Sequence, residues 1–192
     1  HGYRSIAVPG CIAGLMEAHK RFGNLPWSEV VAPAANIARK GFSPEWFTLY
    51  KFGSLSQMLL RYTELRDTFM PDNQLPYGGI DAPFILKQPN LADSLDSIAR
   101  DGADSFYRGE LTEDITKDIQ LNGGILTGQD FDQYKPFYWK NGLEFQYRGK
   151  IIRVPNYASA GITSAMTLKL LNKFDLPSMG HNSVEALHLY IN

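Results

Sequence analysis

Apolar residues return every three or four positions along most of this chain and every second position along one short stretch. That pattern predicts a largely helical protein with a small strand component. Between Cys11 and Phe22, the residues Ile12, Leu15, Met16, His19 and Phe22 share one helical face, and Gly23 supplies a stop. A second helical stretch runs from Trp27 to Lys40 and ends at Gly41. Pro33 inside it has no N–H to donate, so a break or kink is expected there. Ser43-Pro44-Glu45 has the make-up of a helix start, with Ser43 as cap, Pro44 at the first helical position and Glu45 near the positive end of the dipole.

The stretch 71–89 is rich in proline, glycine and aspartate and reads as a surface loop. Helices are expected again over 89–100, stopped by Gly102, and over 111–121, closed by Asn122-Gly123-Gly124. Thr127 and Asp130 stand three apart, as in a capping box with Asp replacing the usual Glu. Only from Leu143 does the period become two: Leu143, Phe145 and Tyr147 alternate with Glu144 and Gln146. Arg148-Gly149 then makes a turn and 151–154 a second strand. Helical spacing resumes over 161–174 through Ile162, Ala165, Met166 and Leu170, and the chain ends at Asn192 within a helix-like run of Val184, Leu187, His188 and Ile191.

Helices that follow one another, with a single strand pair near 143–154, point to an α+β protein of which this piece holds mostly helical layers. No repeat, low-complexity tract or clear linker interrupts the chain, so residues 1–192 read as one partial domain. The start at His1, with no signal-like segment, and the stop inside an apolar run suggest an internal part of something longer. A net charge of -1 leaves no electrostatic footprint for nucleic acid, and no apolar run is long enough to span a membrane. Cys11 is the single cysteine, which excludes an internal disulfide and any CxxC site.

The residues that could carry chemistry mostly have plainer explanations. His19 lies on an apolar helix face and is expected to be a hydrogen-bonded core histidine. His181 and His188 are seven apart, whereas helical metal pairs prefer about four, and His1 stands alone at the terminus. Cys11 follows Gly10 at a helix N-terminus, where a thiolate is favoured, yet a lone cysteine without a neighbouring base is expected to be a small buried apolar residue. Ser159 and Ser164 flank Gly161 without forming GxSxG, and Asp93, Asp96 and Asp101 are expected on a solvated helix side. No Walker loop, GxGxxG or HExxH occurs, so no metal or cofactor is implied.

An ordered series of short motifs adds a family. Ala7-Val8-Pro9-Gly10 leads through Ala13-Gly14 and His19 to Phe22-Gly23, Leu25-Pro26-Trp27, Ala32-Pro33-Ala34-Ala35 and Ile37-Ala38-Arg39-Lys40-Gly41-Phe42. Then come Leu91-Ala92-Asp93-Ser94-Leu95, Ile98-Ala99, Gly102, Phe106-Tyr107-Arg108-Gly109, Asn122-Gly123-Gly124-Ile125-Leu126-Thr127, Asp130-Phe131, Tyr134, Tyr147-Arg148-Gly149 and Val154-Pro155. In this order and spacing they resemble the large subunit of the γ-glutamyltranspeptidase (γ-glutamyltransferase, glutathione hydrolase) family over nearly the whole chain. Most of these residues build the fold and do not themselves establish an activity.

The resemblance implies a four-layer αββα N-terminal-nucleophile hydrolase, made as one precursor that cuts itself. The threonine so freed opens the small subunit, attacks a γ-glutamyl amide of glutathione type, and passes the acyl group to water or an amino acid. Both that threonine and the arginine that grips the substrate carboxylate fall outside this chain; Arg4 and Arg39 do not sit in that arginine's motif. The resemblance therefore implies no catalytic residue here, no cofactor, a small-subunit partner, and a periplasmic or extracellular setting. One segment departs from the family. After the strand pair, Pro155-Asn156-Tyr157-Ala158-Ser159-Ala160-Gly161 keeps only Pro155, Ser159 and Gly161 of the usual proline, serine and glycine run. Tyr157, Ser159 and Gly161 are thus the candidate substrate-binding residues. A cephalosporin-acylase-like amidase, or a catalytically silent scaffold on the same fold, stays open beside the γ-glutamyl enzyme.

Overall fold

Local hydrophobic periodicity sets most of the helices. The structure, a computed structural model, describes residues 2–76, 83–138, 141–155 and 159–191. It divides into two compact units, His1–Pro136 and Phe137–Asn192. In the first, α1 (Cys11–Phe22) and α2 (Trp27–Lys40) have the predicted bounds. Pro33 does not split α2, which runs on as one helix, so the expected break is absent. The loss is confined to one N–H, and α2 is held along its length by α6 (Pro89–Asp101), its most extensive helical neighbour.

That pairing explains much of the core. Ala35 and Ala92 are essentially inaccessible (1% and 0% exposed), as small residues must be where two helix backbones approach closely. The Trp27 indole donates to the Ile98 carbonyl at 2.8 Å, and the Gln88 N–H donates to the Ala38 carbonyl at 2.9 Å. Beyond α2, Gly41 adopts φ +83°. A side chain there would also collide with Ile85 and Lys87 at 2.6 Å, because Phe42 and Leu86 form an antiparallel bridge directly beside it. Leu86 is buried, so the expected surface loop over 71–89 is pinned to the core at this point.

Between the bridge partners lie α3 (Trp46–Ser54), α4 (Ser56–Leu59), α5 (Thr63–Phe69) and a 3-10 turn at Pro71–Asn73. The helix start expected at Ser43 is displaced. Glu45 holds the cap position without a side-chain bond, and Pro44 is a buried residue ahead of the helix rather than its first turn. After α6 come α7 (Asp104–Tyr107), α8 (Glu110–Leu121) and α9 (Gly128–Asp132). The capping box opens α9 as predicted: Thr127 N–H donates to Asp130 Oδ2 at 2.8 Å, and Asp130 N–H donates to Thr127 Oγ1 at 3.4 Å. Phe131 is fully buried against Phe106 and Tyr107.

The second unit begins with β1 (Leu143–Tyr147) and β2 (Lys150–Val154), an antiparallel pair running from Leu143↔Val154 to Tyr147↔Lys150. Arg148 and Gly149 both take positive φ (48° and 75°), as a two-residue hairpin turn requires. Helix α10 (Gly161–Leu171) packs on both strands, with Phe145, Gly161 and Ala165 buried; α11 (Leu176–Met179) and α12 (Val184–Ile191) follow. The whole is α+β, mostly helical with one two-stranded sheet among the described residues. No helix of the described residues is long and apolar enough to cross a membrane.

Candidate functional site

The segment joining β2 to α10 holds the candidate substrate-binding residues. Tyr157 lies outside the described residues; Ser159 and Gly161 are brought together at the start of α10. The Ser159 hydroxyl donates to the Pro155 carbonyl at 3.3 Å and accepts the Gly161 N–H at 3.1 Å. Gly161 is there by necessity. A Cβ on it would stand 2.3 Å from the Pro155 carbonyl oxygen, a backbone atom that cannot swing aside. The junction is therefore a tight backbone crossing in which the Ser159 hydroxyl is spent locally. No histidine, lysine or carboxylate among the described residues hydrogen-bonds Ser159.

The other candidates are dispersed. Cys11 is exposed, not buried as expected, because α1 turns its Ile12 and Met16 side, rather than the Cys11 side, toward the protein. His19 is hydrogen-bonded as expected, its Nε2 lying 2.9 Å from the Leu25 carbonyl and its ring edge-on to Trp27; it is half-buried at the end of α1. His181 and His188 are exposed. Among the described residues no group of three histidine, cysteine or carboxylate side chains converges as a metal site would require. Asp93 and Asp96 are exposed, and both accept from Arg39 Nη2, at 2.5 and 2.9 Å. Hydrogen bonding to Asp93 and then Asp96 raises the Arg39 pKa above its ordinary value. That guanidinium serves to tie α2 to α6.

Sequence reasoning passed over a second feature. Tyr107 is 5% exposed; its hydroxyl donates to the Pro9 carbonyl at 2.5 Å and accepts the Ala13 N–H at 3.2 Å. Burial pushes this phenol above its ordinary pKa, and the Ala13 N–H partly opposes that. Tyr134 stacks on it in near-parallel fashion, with ring centroids 5.5 Å apart, and its hydroxyl occupies the space a side chain on Gly10 would need. The two tyrosines thus fix the N-terminus of α1. Beside them α1, α7 and residues 134–136 line a cleft of about 210 Å³. The signal available in the sequence was the tyrosine of Phe106-Tyr107-Arg108-Gly109, which marks an aromatic docking point but not its partner.

The described residues thus make two units of mostly helical α+β structure, the second built on one hairpin. Residues 1–192 match the family model described as gamma-glutamyltranspeptidase. The chain is 32% identical over 191 residues to the glutathione hydrolase proenzyme of Pseudomonas aeruginosa, covering 98% of this chain and 33% of that protein. It is likewise 32% identical over 189 residues to the acylase ACY 1 proenzyme of Pseudomonas sp. (strain V22), covering 98% and 33%. Among solved structures, the γ-glutamyltranspeptidase of Helicobacter pylori superposes with a TM-score of 0.87 at 28% identity, over 99% of this chain and 54% of that one. The chain belongs to the gamma-glutamyltranspeptidase family. It spans about a third of the length of the curated relatives it matches.

Proposed function

We propose that this chain is the helical part of the large subunit of a γ-glutamyl transferase or hydrolase, completed by a small subunit of the same precursor. The observation that carries the reading is the family match over every residue, combined with coverage of only about a third of the relatives' length. In this reading the hairpin and α10 belong to a four-layer αββα sandwich. An N-terminal threonine outside the chain attacks the γ-glutamyl amide of a glutathione-like substrate, its own amino group acts as base, and the acyl group passes to water or an amino acid.

The test compares the 192-residue chain with the full precursor on a γ-glutamyl anilide. The expected outcome is no turnover by the chain alone and turnover by the processed precursor. Turnover by the chain alone, abolished by Cys11→Ala or Ser159→Ala, overturns the proposal. An acylase on another amide is the second reading, favoured by the equal identity to the acylase ACY 1 proenzyme. Comparing a γ-glutamyl anilide with a cephalosporin-type amide on the same preparation separates the two.

Within this reading, Tyr157, Ser159 and Gly161 border the catalytic cleft of the complete enzyme. The support is the loop's position at a strand-to-helix junction, where function often resides. Tyr157→Ala and Ser159→Ala in the full-length protein are expected to lower kcat/KM well beyond twofold. Changes within about twofold, under roughly 0.4 kcal/mol of transition-state binding, remove the loop from the site.

A further inference from the structure

Asn-Gly occurs twice in the chain, at 122–123 and 141–142. Asparagine before glycine is the pairing in which a backbone nitrogen most readily attacks the side-chain amide, because glycine has no Cβ to obstruct the approach. At Asn122 the surroundings show what holds the reactants apart and what their reaction would undo. Asn122 caps the C-terminus of α8 and is exposed; Gly123 follows at φ +79° with nothing within 4 Å of where a Cβ would lie. Two backbone bonds close the turn in the Schellman pattern, Gly123 N–H donating to the Gln120 carbonyl at 3.1 Å and Gly124 N–H to the Ile119 carbonyl at 2.8 Å. The Asn122 amide nitrogen is tied back to Asp118, donating to its carbonyl at 2.9 Å and to Oδ1 at 3.0 Å. The N-terminal segment rests on the same turn. A Cβ on Gly124 would stand 3.0 Å from the Tyr3 carbonyl oxygen, and the Tyr3 ring meets Tyr62 edge-on. Partial desolvation, and then the nearby charge of Asp118, raise the Tyr3 phenol above its ordinary pKa.

We propose that Asn122 is a self-modifying site, whose conversion to a carboxylate unlocks the end of α8 and the N-terminal segment resting on it. In the reaction the Gly123 nitrogen attacks the side-chain carbonyl carbon of Asn122. A nitrogen–carbon bond forms, the carbon–Nδ2 bond breaks, and ammonia leaves with the proton that the Gly123 nitrogen gives up. Water then opens the cyclic imide at either of its carbonyls, leaving aspartate, or isoaspartate with the backbone rerouted through the side chain. In the native turn the Gly123 N–H and the Asn122 amide are both engaged. Reaction therefore proceeds from molecules whose last turn of α8 has opened, a local fluctuation of the kind helix ends undergo. The product cannot close that turn in the same way. A carboxylate at 122 has no N–H for Asp118, faces the Asp118 carboxylate instead, and adds negative charge at the negative end of the helix dipole. Isoaspartate also inserts an extra backbone carbon between the Ile119 and Gln120 carbonyls and the two N–H groups that reach them. The step thus runs one way, and it does not depend on which amide the complete enzyme cleaves.

The experiment incubates the full-length protein at mildly alkaline pH, folded and in urea, and follows it by peptide mapping in the mass spectrometer and by isoaspartate-specific enzymatic methylation. Asn122 is expected to convert to a mixture of aspartate and isoaspartate in both samples, roughly tenfold to a hundredfold more slowly when folded, because only the opened turn reacts. Asp118→Ala, which frees the amide, is expected to speed conversion in the folded protein by about threefold or more and to leave the rate in urea unchanged. Asn122→Asp is expected to raise amide hydrogen exchange over 3–6 and 119–124 without changing it in β1 and β2. Folded conversion slower than that range, equal rates in the two samples, no acceleration by Asp118→Ala, or exchange in Asn122→Asp that matches the parent's overturns the proposal. Thermal unfolding of both variants shows that they remain folded, as expected for exposed positions at a helix end.

Discussion

At the scale of single residues, two glycines of this chain make opposite demands. Gly14 sits inside α1 with nothing within 4 Å of where a Cβ would lie, so Gly14→Ala removes backbone freedom from the unfolded chain at no steric cost. It is expected to stabilise the protein by about 0.5–1 kcal/mol. Gly161→Ala would push a methyl group to 2.3 Å from the Pro155 carbonyl oxygen and is expected to destabilise by about 1–3 kcal/mol. Urea unfolding of the pair checks both signs; a Gly161→Ala midpoint at or above the parent's would mean that the β2–α10 crossing relaxes freely. Asp130 supplies a pH-dependent counterpart. Its hydrogen bonds from Thr127, the side-chain one first, hold its pKa below the ordinary carboxylate value. A carboxylate depressed in the folded state stabilises above its unfolded pKa, and that stabilisation is lost as pH falls through the lower folded value. Asp130→Asn is expected to flatten this part of the acid limb of stability against pH, read as the difference between the two unfolding curves below the normal carboxylate range.

At the scale of elements, what was legible in the sequence was local. The capping box at Thr127 and Asp130, the two-residue turn at Arg148-Gly149 and the bounds of α1 and α2 depend on neighbours a few positions apart, and they stand where the pattern put them. The misreadings are all tertiary. Pro33 does not break α2, since α6 supports that helix; Pro44 is buried ahead of α3; and Cys11 is exposed because the buried side of α1 was chosen by its partners. The cleft beside Tyr107 and Tyr134 was illegible for the same reason: it joins α1 to α7 and residues 134–136, which are remote in sequence. A prediction follows for the α2–α6 pair. Ala92→Leu places extra methyl groups where nothing is exposed and is expected to cost about 1–3 kcal/mol. Arg39→Met breaks only solvent-exposed ion pairs and is expected to move the unfolding midpoint far less. If Arg39→Met proved the more damaging change, the clamp rather than close packing would hold these helices.

At the scale of the whole molecule, the second unit has more apolar surface than it can cover. Helix α10 has no single apolar face, its Ile162, Met166, Leu168 and Leu170 being spread between Thr163, Ser164, Thr167 and Lys169, and only Gly161 and Ala165 are buried. Ile162, Met166 and Leu170 remain 46%, 62% and 58% exposed, and Val184 and Ile191 on α12 exceed 80%. A two-stranded hairpin is also marginal by itself, and among the described residues no further strand pairs with its outer edges. A monomer rarely tolerates contiguous apolar patches beyond a few hundred Å². The 192-residue chain is therefore expected to bind a hydrophobic dye and to self-associate as its concentration rises. Ile162→Glu with Met166→Glu changes only exposed positions of α10, so it should lower dye binding and association while leaving helix content intact. On the proposed reading, the wild-type sequence joined to the rest of a precursor should show neither property, because the same faces would then be buried. A chain that stays monomeric at high concentration without binding dye would show that these faces need no cover, and the argument for a completing subunit would lose its physical support.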